Sequence, residues 1–241
     1  MPSVVYRGAM SIAENVMRIR ERIAAAARRA GRDPHDILLM AVSKTFPPES
    51  IRQAYAAGLR QFGENRVQEF AAKAEALRDL PDIEWHMIGH VQANKAAKTV
   101  ELFSCVDSVD SLRLARRLDA AAAQAGKKLS VLIEINIGGE EAKSGVSADS
   151  ADFEAILQAA PELTSLQICG LMTIPPFAED PEEARPYFRR LRELQGQIDA
   201  RHLPGLDMSV LSMGMSHDFP IAIEEGSTCV RVGTAIFGER E

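Results

Sequence analysis

Residues 37–65, ILLMAVSKTFPPESIRQAYAAGLRQFGEN, contain two apolar runs of strand length and, between them, a helical segment that begins at a pair of prolines. Runs that are apolar nearly throughout are typical of parallel strands covered on both faces. The same alternation continues along the chain, which predicts parallel strand pairing. The eight predicted strands are ILLMAVSK (37–44), LRQFGEN (59–65), IEWHMIG (83–89), LFSCVDSV (102–109), LSVLIEINI (129–137), LQICGLMTI (166–174), LDMSVLSMG (206–214) and CVRVGTAIFG (229–238).

Eight strand–helix units favour a closed α/β barrel. A chain of 241 residues has the usual length of a (β/α)8 barrel, which folds as one domain. We therefore expect a single TIM-like (β/α)8 barrel domain over residues 1–241, with an open doubly wound sheet as the alternative. Ahead of the first strand, apolar residues recur at helical spacing and predict an extra N-terminal helix that ends near Gly31 and Pro34. This stripe contains Ile12, Val16, Ile19, Ile23 and Ala26.

The composition is that of an ordinary globular protein, with 46% hydrophobic and 26% charged residues. A net charge of −6 argues against nucleic-acid and anionic-membrane partners, because both require a basic surface. The sequence has neither a signal-peptide pattern at its start nor an apolar run of the roughly 18 residues that span a membrane. Cys105, Cys169 and Cys229 lie far apart in apolar runs, which is typical of buried free thiols in a reducing compartment. We expect a cytoplasmic protein.

Lys44 is the only lysine that ends a predicted strand. In α/β barrels the functional groups lie at the carboxyl ends of the strands. Met40, Val42 and Lys44 share one face of the first strand, so the Lys44 amine can point into the mouth of the barrel. Desolvation there would lower the pKa of the amine and leave it able to attack an aldehyde. A lysine that extends into solvent at the rim is the alternative.

Two loops rich in small residues follow the last two predicted strands, where barrels commonly bind phosphate. They are SMGMS (212–216) and GTA (233–235). Small residues let backbone N–H groups converge on an oxyanion, and hydroxyl side chains add donors. Neither loop has a nucleotide-binding motif, and a plain tight turn is the alternative. The residues that we predict to contact a ligand here are Ser212, Met213, Gly233 and Thr234.

Arg231 lies in the last predicted strand, on the same face as Cys229 and Gly233. If the valines on the other face pack under the outer helices, the guanidinium points into the barrel. A buried charge requires either a carboxylate or an acceptor on a ligand. An ion pair with Glu134 or Asp107 and a ligand contact both satisfy this requirement.

Six segments of the chain are AVSKTFP (41–47), FGENRVQE (62–69), WHMIGHVQANK (85–95), GLMTIPP (170–176), LSMGMSHD (211–218) and VRVGTAIFG (230–238). Together they resemble the homeostasis proteins of pyridoxal 5'-phosphate (PLP), also called the YggS or PROSC family. The resemblance begins at the first strand, and only the first helix lacks a diagnostic segment. The fold of this family is similar to the N-terminal barrel domain of alanine racemase.

The resemblance implies that PLP is held as an imine on Lys44 and that Arg231 faces the pyridine nitrogen. An arginine in that place keeps the nitrogen unprotonated, which weakens the ring as an electron sink and is poorly suited to carbanion chemistry. The other contacts that the resemblance implies are Ser212, Gly233 and Thr234 with the phosphate and Asn65 with the ring.

These residues favour a protein that holds PLP and delivers it to PLP-requiring apoenzymes, without a committed catalytic activity. An amino-acid racemase is an alternative, but it needs a second acid/base group across the ring, and Tyr6, Tyr55 and Tyr187 are poorly placed to supply one. A cofactor-free Schiff-base lyase that acts on phosphorylated sugars is a third interpretation. We expect a monomer or a weak dimer.

Two further features have more than one interpretation. His86 and His90 are four residues apart but lack the glutamate of H-E-x-x-H, so we expect no metal there. His86 is expected to fill the barrel or to line the ring. The polar segment GGEEAKSG (138–145) is either a lid over the barrel mouth or a solvated loop.

Overall fold

Eight parallel strands close into a barrel in sequence order, so that the last strand pairs with the first. This confirms the predicted barrel and excludes the open sheet. The structure, a computed structural model, describes residues 10–139 and 144–239. The strands are β1 (Leu38–Val42), β2 (Gln61–Glu64), β3 (Glu84–Met87), β4 (Cys105–Val109), β5 (Leu129–Glu134), β6 (Leu166–Met172), β7 (Leu206–Ser212) and β8 (Cys229–Val232).

Helices follow the strands and cover the outer face of the barrel. Most of their buried residues join one large hydrophobic cluster around β3 to β7 and a second around β1, β2 and β8. None of the helices in the described ranges has both the length and the apolar character needed to cross a membrane. The helices are α1 (Ile12–Arg29), α2 (Pro48–Ala56), α3 (Val67–Ala74), α4 (Ala96–Leu102), α5 (Leu112–Gln124), α6 (Ala151–Ala159), α7 (Arg185–Asp199), α8 (Phe219–Glu224) and α9 (Thr234–Phe237).

The extra N-terminal helix, α1, forms where the sequence predicts it. Ser11 caps α1, because its hydroxyl accepts the Glu14 N–H while the Glu14 carboxylate accepts the Ser11 N–H. The apolar stripe of α1 is buried in the same cluster as outward-facing residues of β1 and β8. The Asn15 amide also donates to the carbonyl oxygen of Ile236 in α9, at 3.0 Å. Helix α1 therefore covers the joint at which the first and last strands close the barrel.

A cavity of about 510 Å³ opens at the amino-terminal end of the strands, and all three cysteines line it. Cys229 is buried, whereas Cys105 and Cys169 are half-buried. The prediction of buried thiols is therefore correct for Cys229 and wrong for the other two, because the cavity reaches them.

Candidate functional site

Lys44 is half-buried in the turn that follows β1. The Ser43 N–H donates to the Gly63 carbonyl oxygen at 3.0 Å, so strand pairing continues to the residue before Lys44. The Phe46 N–H then donates back to the Ser43 carbonyl oxygen at 3.1 Å and closes the turn. The strand predicted to run to Lys44 ends at Val42, because this turn replaces the strand ladder.

Met40 and Val42 face the inside of the barrel. The Met40 sulfur lies 3.0 Å from the position that a Cβ would take at Gly63. Val42 Cβ lies 3.5 Å from the position that a Cβ would take at Gly233. Ala41, between them, packs in the outer cluster under the helices. Lys44 lies two residues beyond the end of β1, so its direction toward the carboxyl-terminal mouth of the barrel stays a prediction.

Two backbone N–H groups converge at the carboxyl end of β8. The N–H groups of Gly233 and Ala235 both donate to the Ser216 hydroxyl oxygen, at 3.3 and 3.4 Å. Converging N–H groups of this kind also suit a phosphate oxygen. Thr234 is exposed between them. The turn therefore has the donors that the sequence predicts, and Ser216 joins it as a residue to which we had assigned no individual role.

The loop after β7 approaches the same place. Gly214 has a φ of 95°, and a Cβ there would lie 2.6 Å from Ala222 Cβ, so this turn requires glycine. Met213 is fully buried in the large hydrophobic cluster, and its N–H donates to the Cys229 carbonyl oxygen at 3.1 Å. The Met213 carbonyl oxygen accepts the Ser227 hydroxyl at 2.7 Å, so both backbone polar groups of Met213 are bonded within the protein and its ligand contact stays a prediction. Ser212 lies at the end of β7 and is also fully buried.

The Arg231 guanidinium is buried inside the barrel and bonds mainly to the main chain. Nη1 donates to the carbonyl and hydroxyl oxygens of Ser212, at 2.6 and 2.8 Å, and Nη2 to the Thr173 carbonyl oxygen at 2.7 Å. Within the described residues Arg231 forms no ion pair, so the ion pair with Glu134 or Asp107 is not observed. Burial lowers the pKa of Arg231, and nearby charges, including those of Asp107 and Glu134, oppose this shift.

Three buried oxygen atoms at the carboxyl ends of strands have no hydrogen-bond partner among the described residues. They are Oε2 of Glu64, the last residue of β2, Oδ1 of Asn65, just after it, and Oε2 of Glu134, the last residue of β5. Burial raises the pKa of Glu134 to about 7, although the charge of Arg231 opposes this. Unpartnered buried acceptors cost free energy, so a ligand that donates hydrogen bonds would be favoured here.

Gly89 lets the chain pass close to Asn65. A Cβ at Gly89 would lie 2.4 Å from the Asn65 carbonyl oxygen and 2.9 Å from its Cα. Neither atom belongs to a flexible side chain that could move aside. The glycine of the segment WHMIGHVQANK is therefore needed for the position of Asn65.

Glu134 is a site residue that the sequence reasoning used only as a partner for Arg231. Its signal in the sequence is a single carboxylate within an apolar run, but the strand was predicted to continue to Ile137, whereas β5 ends at Glu134. A second group behind the Lys44 turn, formed by Ser43, Glu64 and Lys73, was not predicted. The sequence places Lys73 on a helix, and this position does not reveal what its side chain contacts.

His86 fills the barrel interior, as predicted. Its Nδ1 lies 3.0 Å from Asp107 Oδ1 and its Nε2 lies 2.6 Å from Gln61 Oε1. Burial alone would lower the pKa of His86, but the charge and hydrogen bond of Asp107 outweigh it and raise the pKa well above the usual value. His90 contacts Asp110 instead. Among the described residues no cluster of His, Cys, Asp and Glu has the composition to hold a metal ion.

The remaining predictions concern tyrosines and a lid. Tyr55, on α2, donates to the Asp82 carboxylate at the protein surface, and Tyr187 packs from α7 against the large hydrophobic cluster. Tyr6 lies outside the described residues. Residues 140–143 of the segment 138–145 also lie outside them, so the lid stays a prediction.

Comparisons with known proteins agree with this geometry. The family described as "Alanine racemase, N-terminal domain" matches residues 15–241. The pyridoxal phosphate homeostasis protein of Aquifex aeolicus is 46% identical over 232 residues, which cover 96% of this chain and 100% of that protein. The one from Pseudomonas aeruginosa is 43% identical over 231 residues, covering 96% of each. The structure of Synechococcus elongatus PipY with PLP bound is 40% identical, has a TM-score of 0.82, and is matched over 95% of this chain and 100% of that chain. The chain belongs to the family of pyridoxal phosphate homeostasis proteins.

Proposed function

We propose that this protein binds PLP, holds its aldehyde as an imine on Lys44 and delivers it to PLP-requiring apoenzymes, without a committed catalytic activity. We also propose that residues 1–241 form one PLP-binding domain, which acts in the cytoplasm as a monomer or a weak dimer. Relatives at 43% and 46% identity are named for PLP homeostasis, and PipY, at 40% identity, has a structure with PLP bound.

The observation that carries this proposal is the pairing of β1 with β8. Met40 pairs with Arg231 and Ala41 pairs with Val232, so the turns that follow these two strands leave the barrel side by side. One turn contains Lys44 and the other contains the N–H groups of Gly233 and Ala235. An amine beside a pair of N–H donors suits a molecule that has an aldehyde and a phosphate on one ring.

Arg231 would donate to the pyridine nitrogen. Its bonds to Ser212 and Thr173 use only part of the N–H donors of a guanidinium, which leaves others for a ligand. Bound PLP would supply the electrophilic aldehyde. The other predicted residues would hold the ring or the phosphate, and they are Asn65, Ser212, Met213, Gly233 and Thr234.

Absorbance spectroscopy of the purified protein tests the imine. We expect the wild-type protein to develop an imine band on addition of PLP and Lys44→Ala to develop none, because the amine is removed. Lys98→Ala is the matched control, since Lys98 is exposed on α4 and pairs with Glu101. Borohydride reduction followed by peptide mass spectrometry should locate the adduct on Lys44. An imine band that persists in Lys44→Ala would contradict the proposal.

Delivery is tested separately with the PLP-loaded protein and a PLP-requiring apoenzyme. An added scavenger of free PLP distinguishes direct transfer from release into solution. We expect the apoenzyme to regain activity in both conditions and the protein alone to leave free amino acids unracemised. Racemisation that depends on Lys44 would favour the enzyme alternative.

A further inference from the structure

The turn that contains Lys44 has a strained residue at its centre. Thr45 has a φ of 71°, in the left-handed region that non-glycine residues rarely adopt. This conformation costs about 1–2 kcal/mol, so other contacts must stabilise it. The nearest group that can do so lies behind the turn, on α3 and at the end of β2.

Lys73 contacts the backbone on both sides of Lys44. Its Nζ donates to the carbonyl oxygens of Ser43 and Phe46, at 3.1 and 3.2 Å. The same Nζ lies 2.8 Å from Oε1 of Glu64, whose side chain is fully buried. Since an ammonium has three N–H donors, these contacts can use all of them. Lys73 itself is only 8% exposed, so the group is screened from water.

Glu69 holds the middle of the same turn. Its Oε1 accepts the Thr45 N–H at 2.6 Å and lies 3.5 Å from Lys73 Nζ, one helical turn away on α3. The strained residue is therefore bound through its N–H, while Lys73 binds the carbonyl groups before and after it. Three points of the backbone around Lys44 are fixed by two residues of one helix.

Glu64 connects this group to the strand ends. Its Oε1 accepts the Ser43 hydroxyl at 2.6 Å, and the next residue in the chain is Asn65. Burial raises the pKa of Glu64, while hydrogen bonds from Lys73 and Ser43 oppose the shift. The ends of β1 and β2 are thus tied together through one carboxylate.

We propose that Lys73 and Glu69 are positioning residues, which fix the backbone of the Lys44 turn so that the Lys44 amine is held where it forms the imine. This inference rests on the proposed function. Lys73 and Glu69 contact backbone and carboxylate groups beside Lys44, so their role is exerted through the turn.

The affinities for two ligands distinguish a positioning role of Lys73 and Glu69 from a general effect on stability. PLP binding includes the imine with Lys44, whereas pyridoxine 5'-phosphate lacks the aldehyde and depends only on the ring and phosphate contacts. In Lys73→Met and in Glu69→Ala we expect the affinity for PLP and the rate of imine formation to fall by about tenfold or more, because small displacements of a reacting group have effects of this size. The affinity for pyridoxine 5'-phosphate should stay within about twofold, and Lys98→Met should change neither ligand.

Lys73→Met leaves the Glu64 carboxylate buried without its cation and can therefore prevent folding. The double variant Glu64→Gln with Lys73→Met removes that charge, and Glu69→Ala removes a half-buried group, so at least one folded variant tests the idea. Equal losses for both ligands, or no loss for either, would overturn the positioning role. If the wild-type protein formed no Lys44-dependent imine, the proposed function itself would fail, whatever these variants did.

Discussion

The two ends of the barrel are both polar, but the carboxyl end presents backbone N–H groups and the amino end presents side chains. At the carboxyl end, the N–H groups of Gly233 and Ala235 point toward one oxygen. The cavity at the amino end is lined by thiols, hydroxyls and the carboxylates of Asp36 and Glu84. In an α/β barrel the helices begin near the carboxyl ends of the strands, so their positive dipole ends are at that side. A cavity of ligand size at the other end is therefore a poor site for an anion.

Each end also has a basic side chain with little exposure to solvent, and the two differ in how completely they are bonded. His86 has Asp107 on one ring nitrogen and Gln61 on the other, so both of its nitrogens have protein partners. Arg231 bonds to Ser212 and Thr173 with only part of its donors. We therefore expect Arg231, which has remaining donors, to contact a ligand, and His86, which has none, to serve the structure.

The largest effect should come from Arg231→Met. The substitution leaves the carbonyl oxygens of Ser212 and Thr173 without their charged donor. It also removes the positive charge that lies near Glu134. We expect the free energy of unfolding to fall by about 3–5 kcal/mol in urea denaturation, with weaker PLP retention in the folded fraction. An unchanged PLP affinity on titration would contradict the assigned role of Arg231 and remove the distinction between the two basic side chains.

Glu134→Gln should change how stability depends on pH. The pKa of Glu134 is raised from 4.5 to about 7 in the folded protein, so the folded state binds the proton more tightly than the unfolded chain. The resulting stabilisation is complete below pH 4.5 and is lost as the pH rises through 7, by about 3 kcal/mol at most. Denaturation of both proteins at pH 4.5 and pH 8 measures it. Parallel pH dependences in the two proteins would show that Glu134 is not the titrating group.

Thr234→Val tests the phosphate contacts at the carboxyl end. Loss of one hydrogen bond to a charged group should weaken PLP binding by about 1–3 kcal/mol. Pyridoxal, which has no phosphate, serves as the control ligand, and its affinity should be the same in both proteins. A larger ratio of PLP affinity to pyridoxal affinity in Thr234→Val than in the wild-type protein would contradict this expectation.

The smallest effect is expected at the amino end. Cys169→Leu adds an apolar group to the cavity of about 510 Å³ that Cys169 lines. The PLP affinity should stay within about twofold, since the added group lies at the end of the barrel opposite the converging N–H groups. A tenfold loss of affinity, with unchanged stability, would mean that the two ends are coupled and that the comparison is wrong.

The sequence predicted the barrel because the strand–helix alternation is a local pattern. The stripe of α1 and the eight apolar runs each depend on residues within one element. Strand ends were predicted less accurately. Lys44 follows Ser43 at the end of an apolar run, but periodicity cannot detect the turn that the Phe46 N–H closes.

Lys44 and Arg231 could be selected as site candidates from the sequence because strand alternation places each on the face directed into the barrel. The supporting residues were not predictable in the same way. Lys73 lies on the buried face of a helix, and its bonds to Ser43 and Phe46 join elements that are separate in sequence. The role of Gly89 was not predictable either, because its close approach to Asn65 exists only in the folded protein.

The closure of β8 on β1 has a consequence for the growing chain. The turn that contains Lys44 is synthesised long before the N–H groups of Gly233 and Ala235. A ribosome-bound chain would therefore lack the converging N–H groups until β8 and the turn after it emerged. PLP bound to the turns after both β1 and β8 would also connect the first and last strands. It should therefore slow the local separation of these two strands.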